Sequence, residues 1–218
     1  MIDKKSDSPN LDGAYALQTP EDSQRLYATW AETYDQDFAE AHDYLAPNLV
    51  AHAFKDAGGI GPVLDVGAGT GLCGQALVSL AIGPVDATDI SQEMLDVAAT
   101  KSTYRSLFTS DLTATLPVAD ASYAGIVSSG TFTNGHVGPE AFDELLRITQ
   151  PGGLLALSIN TAHFEVKGFS SKLDELCSQI TDLQLPQMRI YGHKATDDHR
   201  DDHRDDTIYI AMFRKVRA

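Results

Sequence analysis

Two cysteines, Cys73 and Cys177, are too few for a disulfide scaffold, and they read as reduced thiols of a cytoplasmic protein. Long apolar runs are missing as well. No stretch approaches the roughly 20 consecutive apolar residues that a membrane helix needs. Met1 to Asn10 is polar, with Lys4 and Lys5, and holds no apolar signal-peptide core, so export is not expected. Basic residues are scarce: 16 Lys and Arg stand against 31 Asp and Glu, for a formal net charge of -15. Such a chain repels phosphate backbones and anionic membranes. The closest basic cluster, Arg214, Lys215 and Arg217, lies at the very end. Neither nucleic acid nor a membrane is therefore an expected partner.

What is present is an ordinary apolar content, 43%, in a chain long enough for one domain with a full core. Residues 1–20 show little hydrophobic periodicity and read as a tail outside the core, with a single domain over 21–218. From Glu21 the spacing turns helical, Leu26, Tyr27, Trp30 and Tyr34 recurring at three and four. Pro47 opens a second helix, Asn48 to Lys55, closed by Gly58, Gly59, Gly61 and Pro62. Strands are expected at Val63–Val66, Pro84–Asp89, Tyr104–Ser110, Tyr123–Ser129, Leu154–Ile159, Met188–Tyr191 and Ile208–Phe213. Helices fall between them at Leu72–Leu80, after an N-cap at Ser91, at Glu140–Thr149 and at Lys172–Ile180. Pro151-Gly152-Gly153 reads as a break. The fold class is α/β, a doubly wound, mostly parallel sheet of seven strands. Residues 197–206 read DDHRDDHRDD; without an apolar residue the segment reads as an exposed acidic loop, and no metal is assigned to it.

In such sheets ligands bind at the carboxyl ends of the strands. Asp65, the turn Gly67-Ala68-Gly69-Thr70-Gly71, Asp89, Asp111 and Ser128–Gly130 all fall on that edge. Glycines there let a ligand approach without a Cβ in the way. Gly69, Gly71 and Gly74 also fit the G-x-G-x-x-G dinucleotide fingerprint. The charge pattern argues otherwise: an extra carboxylate, Asp65, beside the turn repels a pyrophosphate. S-adenosylmethionine has no phosphate and carries a sulfonium and an ammonium, which a pocket edged by Asp65, Asp89 and Asp111 suits. Asp89, about 20 residues past the turn, stands where an acid takes ribose hydroxyls of either cofactor. For Asp111 the alternative is a simple turn cap.

These residues carry a resemblance. Val63–Gly71, V-L-D-V-G-A-G-T-G, resembles motif I of the class I S-adenosylmethionine-dependent methyltransferases. Asp89-Ile90-Ser91 with Met94-Leu95, Asp111 with Leu116-Pro117, and Leu145 through Gly153 into the next strand resemble the family's later segments in order. The resemblance implies a Rossmann-like sheet with an antiparallel last strand and an N-terminal helical cap. It implies S-adenosylmethionine as cofactor, lined by Gly67, Ala68, Gly69, Thr70 and Gly71, with Asp65 organising the turn and the methionyl ammonium. It further implies Asp89 on the ribose, Ile90 against the adenine, Met94 beside it, and Asp111 with Leu112 at the adenine amino group. Ser128, Ser129 and Gly130 would pass the methionine portion. Tyr27, Trp30 and Tyr34 would fold over the cofactor, their alternative being core packing of an amphipathic helix.

Methyl transfer from a sulfonium needs an in-line acceptor and a dry site, and a base only where the nucleophile arrives protonated. The candidate base is His136, in the loop after the fourth strand; Phe132, Asn134, Asn160 and His163 are candidates at the acceptor. The Asn/Asp-Pro-Pro-aromatic motif of amino-methylating enzymes is absent, Ser128-Ser129-Gly130-Thr131 standing in its place. The expected function is methyl transfer to a small-molecule acceptor by a monomer or homodimer. A nicotinamide-dependent oxidoreductase and a non-catalytic S-adenosylmethionine-binding protein are the alternatives.

Overall fold

The computed structural model describes residues 19–133, 137–192 and 206–217. Helix α1 spans Pro20–Trp30; the Thr19 hydroxyl accepts from the Asp22 N–H at 3.1 Å, and Pro20 sits in the first turn, where its missing N–H forfeits no bond. A π-helical turn, Tyr34–Glu40, leads into α2, Ala46–Asp56. Alternation follows: β1 Val63–Val66, α3 Leu72–Ser79, β2 Val85–Asp89, α4 Gln92–Thr100, β3 Leu107–Thr109, β4 Tyr123–Phe132, α5 Ala141–Ile148 and β5 Thr149–Asn160. Then come α6 Thr161–Lys167, α7 Phe169–Glu175, β6 Ile180–Gln184, β7 Gln187–Arg189 and β8 Thr207–Lys215. Ser91 caps α4 as expected, its hydroxyl accepting from the Met94 N–H at 3.2 Å.

The sheet order is β3-β2-β1-β4-β5-β8-β6, with β1 to β5 parallel and β8 antiparallel beside β5. β6 pairs with the end of β8 (Thr181 opposite Arg214) and β7 with its start (Met188 opposite Ile208). The two short strands thus share the seventh position, interrupted around Pro186, which has no N–H for a ladder.

Sequence and structure part at three places. The expected helix Lys172–Ile180 ends at Glu175 with a 3-10 turn, Leu176–Ser178, and Ile180 opens β6 because β8 offers it a pairing edge. Pro151-Gly152-Gly153 does not precede a strand but lies inside one. Tyr123 pairs with Thr149 and Gly125 with Leu154, so the extra residues bulge out of β5, with Gly152 at φ 80°. Helix α6 was not expected; Asn160 starts it, its Oδ1 accepting from the Ala162 and His163 N–H groups.

Strand alternation divides the core in two. Leu64, Val66, Leu155, Leu157, Ala211 and Phe213 face one side with Phe142 of α5 and Phe169 of α7. Val63, Leu154, Ala156, Ile208, Ile210 and Met212 face the other with Val50 and Phe54 of α2 and Leu77 of α3. The side-chain period of two along β5 and β8 buries both faces and leaves the carboxyl edge free to carry a site.

Candidate functional site

A cleft runs along that edge from β3 to β8. Gly67–Thr70 after β1, Asp89 and Ile90 after β2, Ser110 and Leu112 after β3, Ser129–Thr131 on β4, Ser158 on β5 and Ile208 on β8 all line it. The turn folds back on β2: Gly67 and Ala68 N–H both donate to the Thr88 carbonyl, at 2.9 and 3.1 Å. Gly69 has φ 54°, and a Cβ there would meet nothing within 4 Å, because it would stand in the cleft. Gly71 lies off the cleft; a Cβ there would press on the Tyr104 ring at 2.9 Å.

The carboxylates divide their work. Asp89 Oδ2 accepts from the Gly69 N–H at 2.7 Å and Oδ1 from the Ser91 N–H at 2.9 Å. Burial pushes its pKa up against these bonds. Asp65 is fully buried behind the turn rather than on the cleft wall. Its Oδ2 accepts from the Tyr104 hydroxyl at 2.7 Å, while Oδ1 has no hydrogen-bond partner. Burial, opposed by the Tyr104 bond and reinforced by the Asp89 charge, raises the Asp65 carboxyl to about 7. Asp111 is off the cleft: Oδ1 accepts from the Thr113 N–H and hydroxyl, both at 2.8 Å. That is the turn-cap alternative, and Ser110 and Leu112 on either side face the cleft in its place.

Asp65 yields a pH prediction. Its folded pKa lies above the ordinary 3.8, so the native state binds more protons than the unfolded chain between about 4 and about 7. Its contribution to stability is therefore present at low pH and lost as pH rises through that window. Asp65→Asn is expected to flatten this decline, worth on the order of 4 kcal/mol. Melting temperatures of both proteins from pH 5 to 8 check it; parallel profiles would refute the buried, protonatable Asp65.

The N-terminal cap closes the cleft from above. Tyr27, Tyr34 and Phe38 line it; the Tyr34 and Phe38 rings stack at 5.0 Å and Tyr27 meets Tyr34 edge-on at 6.3 Å. Trp30, 1% exposed, is behind them against Met94. The cap is tied down by Asp35, which accepts from the Thr70 hydroxyl and from Lys101 Nζ, each at 2.5 Å. One carboxylate thus joins the cap, the glycine turn and the end of α4.

At the β4 end Ser129 and Gly130 reach the cleft, whereas Ser128 is buried and donates to the Val66 carbonyl at 2.8 Å. Three residues expected at the acceptor are elsewhere. Phe132 is fully buried against Phe142 and Phe169, at 5.7 and 5.9 Å. Asn160 spends its side chain on capping α6. His163 packs on Phe169, its ring nitrogen 3.4 Å from the Val137 carbonyl, and burial lowers its pKa. Asn134 and His136 lie outside the described residues, as does nearly all of the acidic repeat. Among the described residues no cluster of His, Cys, Asp or Glu is placed to hold a metal ion, and no helix is long and apolar enough to cross a membrane.

Sequence reasoning missed Tyr44, Pro47, Ser158, Ile190, Tyr191 and Ile208, all on the cleft wall. Tyr44 and Tyr191 meet through an isolated bridge with ring centroids 5.9 Å apart, a pairing that no local spacing announces.

Residues 64–157 match the methyltransferase domain family. Human methyltransferase-like protein 27 is 32% identical over 149 residues, covering 65% of this chain and 60% of that protein. The demethylmenaquinone methyltransferase of Renibacterium salmoninarum is 36% identical over 96 residues, 44% of this chain and 40% of the relative. The chain spans 35% to 60% of the length of the curated relatives it matches. An S-adenosylmethionine-dependent methyltransferase from Thermotoga maritima shares the fold, with a TM-score of 0.61 at 16% identity over 88% of this chain and 99% of that one. The matched segment runs from β1 into β5 and holds the glycine turn, Asp89 and the β4 end of the cleft, so the similarity to the methyltransferase domain family covers that part of the site.

Proposed function

We propose that this protein transfers a methyl group from S-adenosylmethionine to a small-molecule acceptor. The observation that carries the reading is the Gly69 N–H, which is already engaged by the Asp89 carboxylate at 2.7 Å. A dinucleotide needs free N–H groups and no anion at that turn for its pyrophosphate. Here the Gly67, Ala68 and Gly69 N–H groups are all engaged within the protein, and a cofactor without phosphate fits such a turn. The open Cβ direction at Gly69 leaves room for such a ligand against the backbone.

When bound, S-adenosylmethionine supplies a sulfonium-activated methyl group for in-line displacement. Gly67–Thr70 form the floor, and Asp89, with lone pairs left beyond its two backbone bonds, takes the ribose hydroxyls. Ile90, Met94 and Leu112 pack on the adenine side, while Ser129 and Gly130 flank the methionine portion. Tyr27 and Tyr34 cover the ligand and exclude water; burial raises both phenols, so they stay neutral donors beside a cationic ligand. Asp65 acts from behind, orienting the turn through Tyr104. His136 keeps its place in the reading as the base for protonated acceptors.

Thermal stability is the direct test. S-adenosylhomocysteine is expected to raise the melting temperature saturably, and NADH to leave it unchanged. Stabilisation by NADH alone would replace this reading with the oxidoreductase.

A further inference from the structure

From the β4–β8 end of the cleft we infer the class of acceptor: a flat, uncharged aromatic molecule bearing a hydroxyl, thiol or amine. This rests on the proposed methyl transfer and deepens it. The sheet order places the two ends apart. Asp89, Ile90 and Ser110 stand over β2 and β3, whereas Ser129, Ser158 and Ile208 stand over β4, β5 and β8. Of all the described residues that line the cleft, Asp89 alone carries a formal charge. Among the described residues the β4–β8 end offers no counter-charge, and an ionised group carried there loses its water without an ion partner from them.

The wall chemistry selects further. Phe38, Tyr44, Tyr191, Pro47, Ile190 and Ile208 make this end aromatic and aliphatic. The rings are not parallel, Phe38 meeting Tyr44 at 70° and Tyr44 meeting Tyr191 at 39°, so they bound a slot against which a planar ring packs by face and edge. The negative faces of these rings and the net charge of -15 disfavour an anion. Ring faces alone would welcome a cation, but the cofactor sulfonium already brings one into the same enclosed cleft, and a second is repelled.

The polar contacts come from two hydroxyls at one spot. Ser129 Oγ is buried on the cleft wall against the Tyr44 hydroxyl, so the two hydroxyls present one paired polar spot to a ligand. The Tyr44 hydroxyl faces the next residue so closely that a Cβ at Gly130 would come within 2.6 Å of it. Burial holds the Tyr44 phenol up at about 12, so it stays a donor. Neutral hydroxyls suit a neutral nucleophile, accepting from it and donating to it as it turns.

The test is calorimetric titration of the full chain, first with S-adenosylhomocysteine alone and then, saturated with sinefungin, which keeps a protonated amine where the sulfonium stands, with three phenols on one scaffold. Methyl 4-hydroxybenzoate is neutral, 4-hydroxybenzoate anionic and tyramine cationic. The neutral ester is expected to bind at least about tenfold more tightly than either ion, since each tenfold needs only a modest energy difference. Tyr44→Phe, which keeps the ring, is expected to weaken the ester about tenfold and leave S-adenosylhomocysteine affinity unchanged. An ion binding as well as the ester, no binding of the ester at millimolar concentration, or an unchanged ester affinity in Tyr44→Phe overturns the inference. Failure of S-adenosylhomocysteine to bind is scored separately in the first titration, and it overturns the methyl-transfer reading itself.

Discussion

Gly69→Val is expected to weaken S-adenosylhomocysteine binding more than a hundredfold while the protein still folds. Three features of the position combine. Its φ of 54° is a left-handed conformation that a β-branched residue resists. Its Cβ direction is clear of the protein, with nothing within 4 Å, so a valine side chain meets no core and projects into the cleft. Its N–H holds Asp89 at 2.7 Å, so any backbone shift that relieves the strain also displaces the carboxylate proposed for the ribose. The strain costs about 1–3 kcal/mol, within the roughly 5–15 kcal/mol of a typical domain, which is why folding survives. A hundredfold in affinity is about 2.8 kcal/mol, readily lost when a branched side chain fills a ligand's place. Calorimetry on the folded variant decides; wild-type affinity in Gly69→Val would mean that the glycine turn is not the binding site. Gly71→Val does not serve as a substitute, because it clashes with Tyr104 and reports on packing.

Asp35→Ala is expected to release the cap. Its carboxylate is bound to Thr70 and Lys101 at once, and Lys101 is only 13% exposed. Removing Asp35 leaves that ammonium and a buried hydroxyl unpaired, while the one-third exposure of Asp35 itself moderates the loss through solvent screening. A destabilisation of about 1–2 kcal/mol follows. The larger consequence falls on the ligand: with Tyr27 and Tyr34 no longer held over the cleft, S-adenosylhomocysteine affinity drops by about tenfold. Limited proteolysis in α1 and the π-helical turn becomes faster, and added ligand protects less well than in the wild type. Asp35→Asn, which keeps an acceptor for Thr70 but loses the charge, is expected to fall between. Equal proteolysis and equal affinity in Asp35→Ala would show that ring packing alone, through Trp30, Tyr34 and Phe38, holds the cap.

The readable part of the site was the part built from neighbours in sequence. A glycine turn after an apolar strand, an acid at the end of the next strand and a serine cap after it are set by residues within a few positions of one another. Local backbone demands, φ above zero at Gly69 and capping by Ser91, leave a mark in the residue types themselves. The same locality misled at Asp111, Asn160 and His163. Each is a plausible ligand by type, yet each is consumed by a nearby backbone or core contact that type alone does not reveal.

From the sequence alone came the alternating α/β order, the carboxyl edge as the place of the site, and the methyltransferase resemblance of Val63–Gly71 and its later companions. Only the tertiary structure decided that β6 and β7 share one edge of β8, because strand pairing is a bargain with a distant partner and not a property of the strand. It alone put Asp35 on Lys101 and Thr70, and Tyr44 beside Tyr191 and Ser129, since side chains far apart along the chain meet only when the layers pack. The glycine-turn end of the cleft is thus written locally, while the β4–β8 end is assembled from five separate segments and exists only once the chain has folded.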